Sequence, residues 1–433
     1  MKNLYIETYG CQMNFADSEV VASVLSSQYQ LVTSPSEADL ILVNTCSVRD
    51  NAEQRVFNRL NELTALKKKN KHLQIGLIGC MASRFKDDLF AKTDIDLIAG
   101  PDAYRNLPQI IDSENAVNID VTLSKTETYE DILPIRYADN KVSAFVSVMR
   151  GCNNFCAYCV VPYTRGRERS RASESIIAET EQLFQTGYRE VTLLGQNVNS
   201  YNYQNIDFAE LMEKVAKIDP LLRVRFATSH PKDLSPKLLQ IMAKYPNICK
   251  SIHLPAQSGS TAILQRMNRK YTRENYLEKI SLIRQYLPQC GLSTDLIAGF
   301  CTETETDHLQ TLSLMKEVAY DYAFTFKYSP REGTFAYQNI KDDVPEDVKI
   351  KRLQQIIDLQ QNLSLKSNQK DVGKIFEVLT EGYSKRSKDF LFGRTSTNKV
   401  VVFPALNHKI GEYVVLKITN CSAATLFGEE SAF

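Results

Sequence analysis

Two groups of cysteines are the residues of this sequence whose spacing could support chemistry. The first group is a CxxxCxxC motif formed by Cys152, Cys156 and Cys159. Three neighbouring thiolates without a fourth cysteine or a histidine leave a four-coordinate zinc site incomplete, whereas a four-iron cluster can accept three thiolates and keep one iron open. The spacing therefore favours a [4Fe-4S] cluster over a structural zinc ion.

The open iron would make such a cluster reactive. It can chelate the amino and carboxylate groups of S-adenosylmethionine, and an electron from the reduced cluster can then break a sulfur–carbon bond to give a 5′-deoxyadenosyl radical. Phe155 and Tyr158 lie between the three cysteines, so we expect them to shield the cluster and contact the cofactor. The motif thus predicts radical chemistry.

The second group, Cys11, Cys46 and Cys80, is separated by 35 and 34 residues. Each cysteine follows a short apolar run that predicts a strand, and amphipathic helices are predicted between the runs. The carboxyl ends of parallel strands meet at one edge of a sheet, so the three cysteines can converge. We expect a metal or cluster site there, the alternative being unconnected buried thiols. The other four are expected to be small buried apolar residues: Cys249, Cys290, Cys301 and Cys421.

Composition indicates a packed protein of several domains. The chain has 433 residues, of which 43% are hydrophobic and 24% are charged. Its net charge is +1, so a nucleic-acid partner would have to be bound by local basic patches. No signal peptide and no apolar run long enough to cross a bilayer is evident, and we expect a cytoplasmic location without membrane contact.

The order of predicted elements indicates an α/β protein with three domains. Residues 1–117 read as an open parallel-sheet α/β domain, and residues 118–138 as a polar linker. Six strands alternating with helices in residues 139–369 predict a partial (βα)6 barrel, because a full eight-fold barrel needs about 250 residues. Four short strands with Gly, Asn and Ser turns in residues 370–433 predict a small all-β barrel.

The sequence around the cysteines resembles the radical S-adenosylmethionine methylthiotransferases. The resemblance covers the whole chain, as an N-terminal methylthiotransferase domain, a radical core and a C-terminal TRAM barrel that binds RNA. It is most similar to the branch that makes 2-methylthio-N6-dimethylallyladenosine in tRNA. The segments that carry it are residues 9–14 (YGCQMN), 44–49 (NTCSVR), 79–82 (GCMA), 152–171, 195–201 (GQNVNSY) and 228–231 (TSHP).

The resemblance implies a ligand set and a reaction. Cys11, Cys46 and Cys80 would hold an auxiliary [4Fe-4S] cluster, and the CxxxCxxC cysteines the radical cluster. A sulfide on the open auxiliary iron would be methylated by one S-adenosylmethionine. A second S-adenosylmethionine would supply the radical that removes hydrogen from carbon 2 of N6-dimethylallyladenosine, at tRNA position 37 beside the anticodon. The methylthio group would then bond to this carbon.

The same resemblance suggests further cofactor contacts at the ends of the barrel strands. Gly195, Gln196 and Asn197 follow the second strand and would lie near the methionine part of S-adenosylmethionine. Gly299 and Glu303 follow the fifth strand and would lie near its adenine. The alternative is that these are ordinary loop residues. A further candidate on the fifth strand is a ligand-binding or structural carboxylate, Asp295.

Two basic segments are candidates for RNA contact. One places four arginines just after the cluster motif, where they could hold phosphates or stack on bases; a solvated or cofactor-facing loop is the alternative. The other lies in the C-terminal barrel, where phenylalanines are interleaved with basic residues. The candidates are Arg165, Arg167, Arg169 and Arg171 in the first segment, and Lys385, Arg386, Lys388 and Arg394 in the second.

The expected partners are a tRNA carrying dimethylallylated adenosine next to the anticodon, and an electron donor such as a flavodoxin or ferredoxin. We expect a monomer. Two other functions stay open at this point. A sister methylthiotransferase would act on threonylcarbamoyladenosine in tRNA or on ribosomal protein S12. A non-catalytic iron–sulfur RNA-binding protein would use its clusters only to stabilise the fold.

Overall fold

A computed structural model describes residues 1–46, 50–84, 93–113, 118–137 and 141–431, with the backbone alone for residues 50–54. Two sequence predictions fall outside these ranges. They are the Ser47, Val48 and Arg49 part of the second motif, and the exact positions of the domain boundaries at 117/118 and 138/139. None of the described helices is both long and apolar enough to span a membrane.

The N-terminal domain is built on a parallel sheet to which the described residues contribute six strands. Its central strands are apolar runs buried on both faces, as expected where helices cover both sides of a parallel sheet. The three strands predicted before the cysteines are confirmed as β1, β3 and β4. The order across the sheet is β2-β1-β3-β4-β5-β6, with β1 Lys2–Thr8, β2 Tyr29–Leu31, β3 Leu40–Thr45, β4 Gln74–Gly79, β5 Leu97–Ala99 and β6 Asn118–Asp120.

One helix of this domain buries polar as well as apolar residues. Val21 and Leu25 of α1 pack into the core, but Asn14, Asp17 and Ser18 of the same helix are also buried. Buried polar groups need partners, and these partners lie partly in the next domain, as described below. The helices are α1 Gln12–Leu25, α2 Asp50–Thr64, α3 Cys80–Arg84 and α4 Leu107–Asp112.

The segment predicted as a linker is partly integrated into the N-terminal domain. Asn118–Asp120 forms the edge strand β6 of the sheet, so residues 118–120 do not belong to a linker. Tyr129 stacks on Tyr104 with ring centroids 5.7 Å apart. The polar composition of this segment hid these contacts, because one short strand and one aromatic side chain give no periodic pattern.

The central domain has the six predicted strands, arranged as two parallel three-stranded pieces. A bridge between Val224 and Ile248 joins the two pieces. This arrangement is a partial (βα)6 barrel whose core is continuous across both pieces. The strands are β7 Ser143–Ser147, β8 Glu190–Leu194, β9 Arg223–Phe226, β10 Ser251–His253, β11 Gly291–Ala298 and β12 Tyr322–Lys327.

The helices of the central domain begin at the residues that their sequences favour. Thr272 and Thr304, for example, each cap a helix and form a reciprocal capping box with the third helical residue. The helices are α5 Val161–Thr164, α6 Ser173–Gln185, α7 Phe208–Ala216, α8 Pro236–Lys244, α9 Thr261–Arg266, α10 Arg273–Tyr286, α11 Glu305–Val318, α12 Phe335–Asn339 and α13 Glu346–Gln369.

The C-terminal domain is a closed five-stranded barrel in the described residues, where the sequence predicted four strands. The additional strand, β14, contains Lys388 and Arg394, which the sequence analysis assigned to an RNA-binding surface without predicting a strand. The order around the barrel is β13-β14-β15-β17-β16, with β13 Ile375–Ser384, β14 Ser387–Thr395, β15 Val400–Pro404, β16 Tyr413–Cys421 and β17 Leu426–Glu430.

This small barrel packs against residues at the beginning of the central strands. The cysteine loop lies at the opposite ends of the strands. Arg223 donates from Nη1 to the carbonyl of Arg394 at 2.6 Å, and Arg225 donates from Nη2 to the carbonyl of Thr395 at 2.8 Å. The backbone N–H of Lys250 donates to Ser396 Oγ at 2.9 Å. The C-terminal domain therefore packs against the amino-terminal ends of these central strands.

Candidate metal and cofactor site

The first cysteine set lies at one edge of the N-terminal sheet, as the strand pattern predicted. Cys11, Cys46 and Cys80 follow β1, β3 and β4, which are adjacent in the sheet. Gly10 allows the close approach of the first two loops: its φ is +129°, and a Cβ atom there would lie 2.5 Å from the Cβ of Cys46. Only glycine fits this position without a shift of the neighbouring chain.

The environment of this set shifts the pKa values of two of its thiols in opposite directions. The hydrogen bond with Cys46 lowers the pKa of the Cys11 thiol to about 6, and the positive charge of Arg165 lowers it further. Cys80 is buried, and burial raises the pKa of its thiol. Arg165 offsets part of this effect through its positive charge and through the hydrogen bond that its Nε donates to Cys80 Sγ at 3.1 Å.

The second cysteine set lies in the loop that follows the short strand Met149–Arg150. Gly151 has a φ of +78°, and a Cβ atom there would lie 2.0 Å from the carbonyl oxygen of Arg167. The loop therefore turns sharply just before Cys152. Burial raises the pKa of Cys152 to about 11 and that of Cys159 to about 12.

A buried arginine also serves this second set. Arg269 Nη1 donates to Cys156 Sγ at 3.3 Å, while its Nε donates to the Tyr271 hydroxyl at 2.9 Å and its Nη2 to the carbonyl of Pro255 at 3.1 Å. A positive charge held beside these thiols stabilises their thiolate form, which is the form that binds iron.

The donor chemistry of both sets fits iron–sulfur clusters. In the described part of the chain, no three cysteine, histidine or carboxylate groups converge closely enough to hold a single metal ion. Each set offers three thiols and one buried guanidinium, and a four-iron cluster takes three thiolates with charged hydrogen bonds to sulfur. The residues present thus suit clusters better than a zinc ion.

The aromatic residues of the motif lie on two sides of the loop. Phe155 is half-buried and has a φ of +48°. Its ring is covered by the guanidinium of Arg167 at 4.4 Å and meets the edge of Tyr163 at 6.1 Å. Tyr158 packs edge-on against Phe300 at 6.4 Å, among residues that follow β11.

The end of β8 touches the cluster loop. The side-chain oxygen of Gln196 accepts a hydrogen bond from the backbone N–H of Gly151. Gly195 lies against Met149, and the amide of Asn197 donates to Asp233 at 2.7 Å. Gln196 is therefore in contact with the loop of the second cysteine set, and Gly195 with the strand before it. The contact of these three residues with S-adenosylmethionine stays a prediction.

Glu303 is used inside the fold. Its carboxylate accepts hydrogen bonds from the backbone N–H of Gly299 and from Arg352 Nη1, the latter at 3.3 Å, and burial raises its pKa to about 7. These contacts hold the turn after β11. The contact of Gly299 and Glu303 with S-adenosylmethionine stays a prediction. Asp295 is half-buried, and its Oδ1 lies 3.4 Å from Nε2 of His253 on the neighbouring strand.

Three of the four arginines assigned to RNA do not reach a surface that RNA could contact. Arg165 pairs with Asp17 at 2.8 Å, Arg169 pairs with Asp102 at 2.9 Å, and Arg171 pairs with Glu179. These arginines are all buried, and the first two join the central domain to the N-terminal domain. The exposed member of the four is Arg167, for which RNA contact stays a prediction.

Asp17 and Arg269 are site residues that sequence reasoning missed, and Arg150 is a buried structural partner of Asp17. Asp17 accepts hydrogen bonds from Arg150 Nη1 at 2.7 Å and from Arg165 Nη2 at 2.8 Å, and Arg150 is only 2% exposed. The polar stripe on α1 was the available signal for Asp17. Nothing near Arg269 in the sequence indicates that it reaches Cys156.

The basic residues of the C-terminal barrel differ in exposure. Lys385, Arg386 and Lys388 are exposed around the turn between β13 and β14. Arg394, at the other end of β14, is half-buried and pairs with Glu381 at 3.3 Å. Of the four scattered cysteines, three are buried as predicted, and Cys421 is half-buried.

Three family models match the chain in the predicted order. Residues 3–100 match the family described as "Uncharacterized protein family UPF0004", residues 146–315 match the radical SAM superfamily, and residues 369–429 match the TRAM domain. These matches agree with the three domains seen in the fold.

Solved structures with a similar fold include radical enzymes of low sequence identity. The radical S-adenosylmethionine methyltransferase TsrM from Kitasatospora setae superposes with a TM-score of 0.57 at 12% identity, over 75% of this chain and 73% of that chain. The cobalamin-dependent S-adenosylmethionine radical enzyme OxsB gives a TM-score of 0.55 at 11% identity, over 84% and 62%. At this identity the likeness shows the fold alone.

Much closer relatives match over nearly the full length. The chain is 57% identical to the tRNA-2-methylthio-N(6)-dimethylallyladenosine synthase of Phocaeicola vulgatus, over 99% of this chain and 96% of that protein. It is 56% identical to the synthase of the same name in Bacteroides thetaiotaomicron, with the same coverage. The chain therefore belongs to the family of tRNA-2-methylthio-N(6)-dimethylallyladenosine synthases, which are radical S-adenosylmethionine methylthiotransferases.

Proposed function

We propose that this chain adds a methylthio group to carbon 2 of N6-dimethylallyladenosine in tRNA, beside the anticodon. The identity of about 57% to synthases of this name over nearly the whole chain supports the substrate. The observation that carries the chemistry is the presence of two cysteine triads, one in each of the first two domains, connected by Arg165.

Each triad has an assigned role in this proposal. Cys152, Cys156 and Cys159 hold the cluster that binds S-adenosylmethionine, and Cys11, Cys46 and Cys80 hold the auxiliary cluster. When bound, these groups supply methyl transfer, radical hydrogen abstraction and the transferred sulfur. The protein itself brings the two ligand sets together and neutralises their thiolate charge with Arg165 and Arg269.

The remaining residues of the site keep the loops in place. Gln196 fixes the backbone before Cys152 through its hydrogen bond with Gly151. Glu303 and Arg352 hold the turn after β11. Because these contacts lie at the ends of the barrel strands, where ligands bind in barrel folds, they support S-adenosylmethionine binding at this end.

The expected partners follow from the reaction. The exposed basic turn of the C-terminal barrel is the proposed tRNA contact. Reduction of the radical cluster needs a one-electron donor, such as a flavodoxin or a ferredoxin. We further propose that the chain acts as a monomer in the cytoplasm.

The central test is mass spectrometry of nucleosides from dimethylallylated tRNA. The anaerobically reconstituted protein would be incubated with this tRNA, S-adenosylmethionine and a strong reductant. A mass gain of one methylthio group on the modified adenosine is expected. Release of 5′-deoxyadenosine without this gain would indicate a sister substrate. Neither signal, with intact clusters confirmed, would indicate a non-catalytic RNA-binding protein.

Cysteine variants separate the two ligand sets. Replacing Cys152, Cys156 and Cys159 by alanine should abolish 5′-deoxyadenosine formation and leave the auxiliary iron in place. The corresponding variant of the other set, Cys11, Cys46 and Cys80, should still form 5′-deoxyadenosine but no methylthiolated nucleoside. Methylthiolated product from the second variant would contradict the auxiliary role.

A further inference from the structure

Arg165 connects the two cysteine triads. It follows Cys159 by six residues in the sequence, at the end of α5, and its side chain leaves the central domain to enter the N-terminal domain. There its Nε donates to Cys80 Sγ at 3.1 Å, and its Nη2 donates to Asp17 at 2.8 Å. The loop of one triad thus places a guanidinium at the other triad.

The third nitrogen of this guanidinium has no partner among the described residues. Arg165 is 2% exposed, and its Nη1, which carries two N–H groups, is buried without a hydrogen bond. Leaving charged donors buried and unpaired is costly. Arg150 and Arg169 in the same region differ, because both of their terminal nitrogens have acceptors and only Nε lacks one. The unpaired terminal donors are therefore specific to Arg165.

The charges around Arg165 also call for an additional anion. Arg150, Arg165 and Arg169 are buried together with two carboxylates, those of Asp17 and Asp102. One positive charge in this group is left without a carboxylate. Buried charges persist when they are compensated. Besides Asp17, the contact of Arg165 with a group that can carry negative charge is with the sulfur of Cys80, in the first triad.

We propose that Arg165 binds the anionic sulfur that is to be transferred, as hydrosulfide or methanethiolate, at the triad of Cys11, Cys46 and Cys80. This inference rests on the proposed function, because it needs the auxiliary cluster at this triad. Arg165 supplies two N–H donors and a positive charge to a small anion. A lysine could not do the same, since a single ammonium cannot serve Asp17, Cys80 and the anion in the planar arrangement of a guanidinium.

The test uses the full chain in which Cys152, Cys156 and Cys159 are replaced by alanine, so that only auxiliary iron is present. Methanethiolate is titrated into the reconstituted, reduced protein, and binding is followed by the electron paramagnetic resonance signal. Adding Arg165→Met should weaken methanethiolate binding roughly tenfold to a hundredfold, the range of a charge-assisted hydrogen bond. It should also shift the reduction potential of the cluster to a more negative value, since a positive charge near the sulfurs is lost.

Arg150→Met is the matched control, because Arg150 pairs with the same Asp17 but makes no contact with Cys80. It should leave methanethiolate affinity and the reduction potential close to those of the parent. An equal loss in both variants would overturn the inference, because the effect would then come from the domain contact alone.

Arg165→Lys covers the case in which the methionine variant does not fold. This variant keeps the charge, and it should bind methanethiolate more weakly than the parent. Parent-like affinity in either Arg165 variant would overturn the inference while leaving the auxiliary cluster intact. The parent of these variants keeps only the triad of Cys11, Cys46 and Cys80. If this parent bound no iron after reconstitution, the proposed auxiliary cluster would be contradicted, and the inference with it.

Discussion

Arg269 donates a hydrogen bond to the sulfur of Cys156 at 3.3 Å. Arg165 makes the equivalent contact with Cys80 at 3.1 Å, so each cysteine triad has one buried guanidinium beside it. Both arginines belong to the central domain. The electrostatic environment of the two proposed clusters is therefore set mainly by one domain, although the ligands come from two.

Replacing Arg269 by methionine should impair the radical cluster. The Cys156 thiolate would lose a charge-assisted hydrogen bond of about 1.5–3 kcal/mol, and the cluster potential should become more negative. Iron content and redox titration of the variant without the first triad would measure both effects. Arg266→Met is the control, because Arg266 is exposed and donates to a backbone carbonyl at 3.3 Å. Equal potentials in the two variants would contradict the role of Arg269.

Asp17→Asn should weaken the contact between the first two domains. Asp17 is 1% exposed and pairs with both Arg150 and Arg165. Its neutralisation leaves Arg165 without this carboxylate and Arg150 with Asp102 alone, at 3.7 Å. Removing one partner of a buried ion pair costs about 3–5 kcal/mol. The urea midpoint for unfolding of the N-terminal domain, followed by proteolysis, should fall accordingly. Asp112→Asn, at an exposed position of the same domain, should leave the midpoint unchanged.

Glu19 gives the stability of this contact a pH dependence. Burial raises the pKa of Glu19 from 4.5 to about 7. Arg136 offsets the effect of burial only in part, because it is shared between Glu19 and Glu179. Between about pH 4.5 and pH 7, the Glu19 carboxyl is therefore protonated in the folded chain and ionised in the unfolded chain. The free energy of unfolding contributed by Glu19 is complete below pH 4.5 and is lost as the pH rises to 7.

Glu19→Gln should remove this part of the pH dependence. The variant should match the parent at pH 4 and exceed its unfolding free energy at pH 8 by up to about 3 kcal/mol. Urea unfolding of both proteins across this range is the measurement. Glu181→Gln, an exposed position on α6, should follow the parent at every pH. A parent-like pH profile for the Glu19 variant would show that Glu19 is ionised throughout the range.

The exposed turn of the C-terminal barrel should contribute to tRNA affinity through phosphate contacts. Replacing Lys385, Arg386 and Lys388 by alanine should weaken binding and reduce the slope of log affinity against log salt by about two to three. Filter binding or fluorescence anisotropy at several salt concentrations would measure this change.

A matched control removes the same charge from another surface. Lys217, Lys237 and Lys244 are exposed on or next to helices of the central domain and pair with carboxylates there. Their replacement by alanine should leave the salt slope as in the parent. If both triple variants changed the slope equally, the effect would reflect net charge instead of a defined contact.

The positions of the two cysteine triads could be predicted from the sequence because local patterns determine them. The apolar runs that become β1, β3 and β4 are short and separated by helical periodicity, so a parallel sheet with its cysteines at one edge follows. The CxxxCxxC spacing is local as well. The residues that surround the sulfurs are not local: Arg165 and Asp17 are 148 positions apart in the sequence.

This separation explains the main differences between prediction and structure. An arginine-rich segment has the same composition whether it binds phosphates or buried carboxylates, and only the position of the acidic partners decides which applies. The partner of Glu303, Arg352, is equally hard to find from the sequence, because it lies on α13, far along the chain. The missed strand β14 has another cause: its charged residues masked the alternation that predicts a strand.

The packing of the C-terminal domain against the central strands affects how the protein can be divided. Arg223 and Arg225 are buried, and they donate to carbonyl groups of residues 394 and 395. A truncated chain that ends after α13 would expose these arginines and leave them without these acceptors. The TRAM domain is thus no detachable module, and loss of activity after its deletion would report on folding as much as on recognition. Exchange of this domain between relatives would succeed only where the interface residues are exchanged with it.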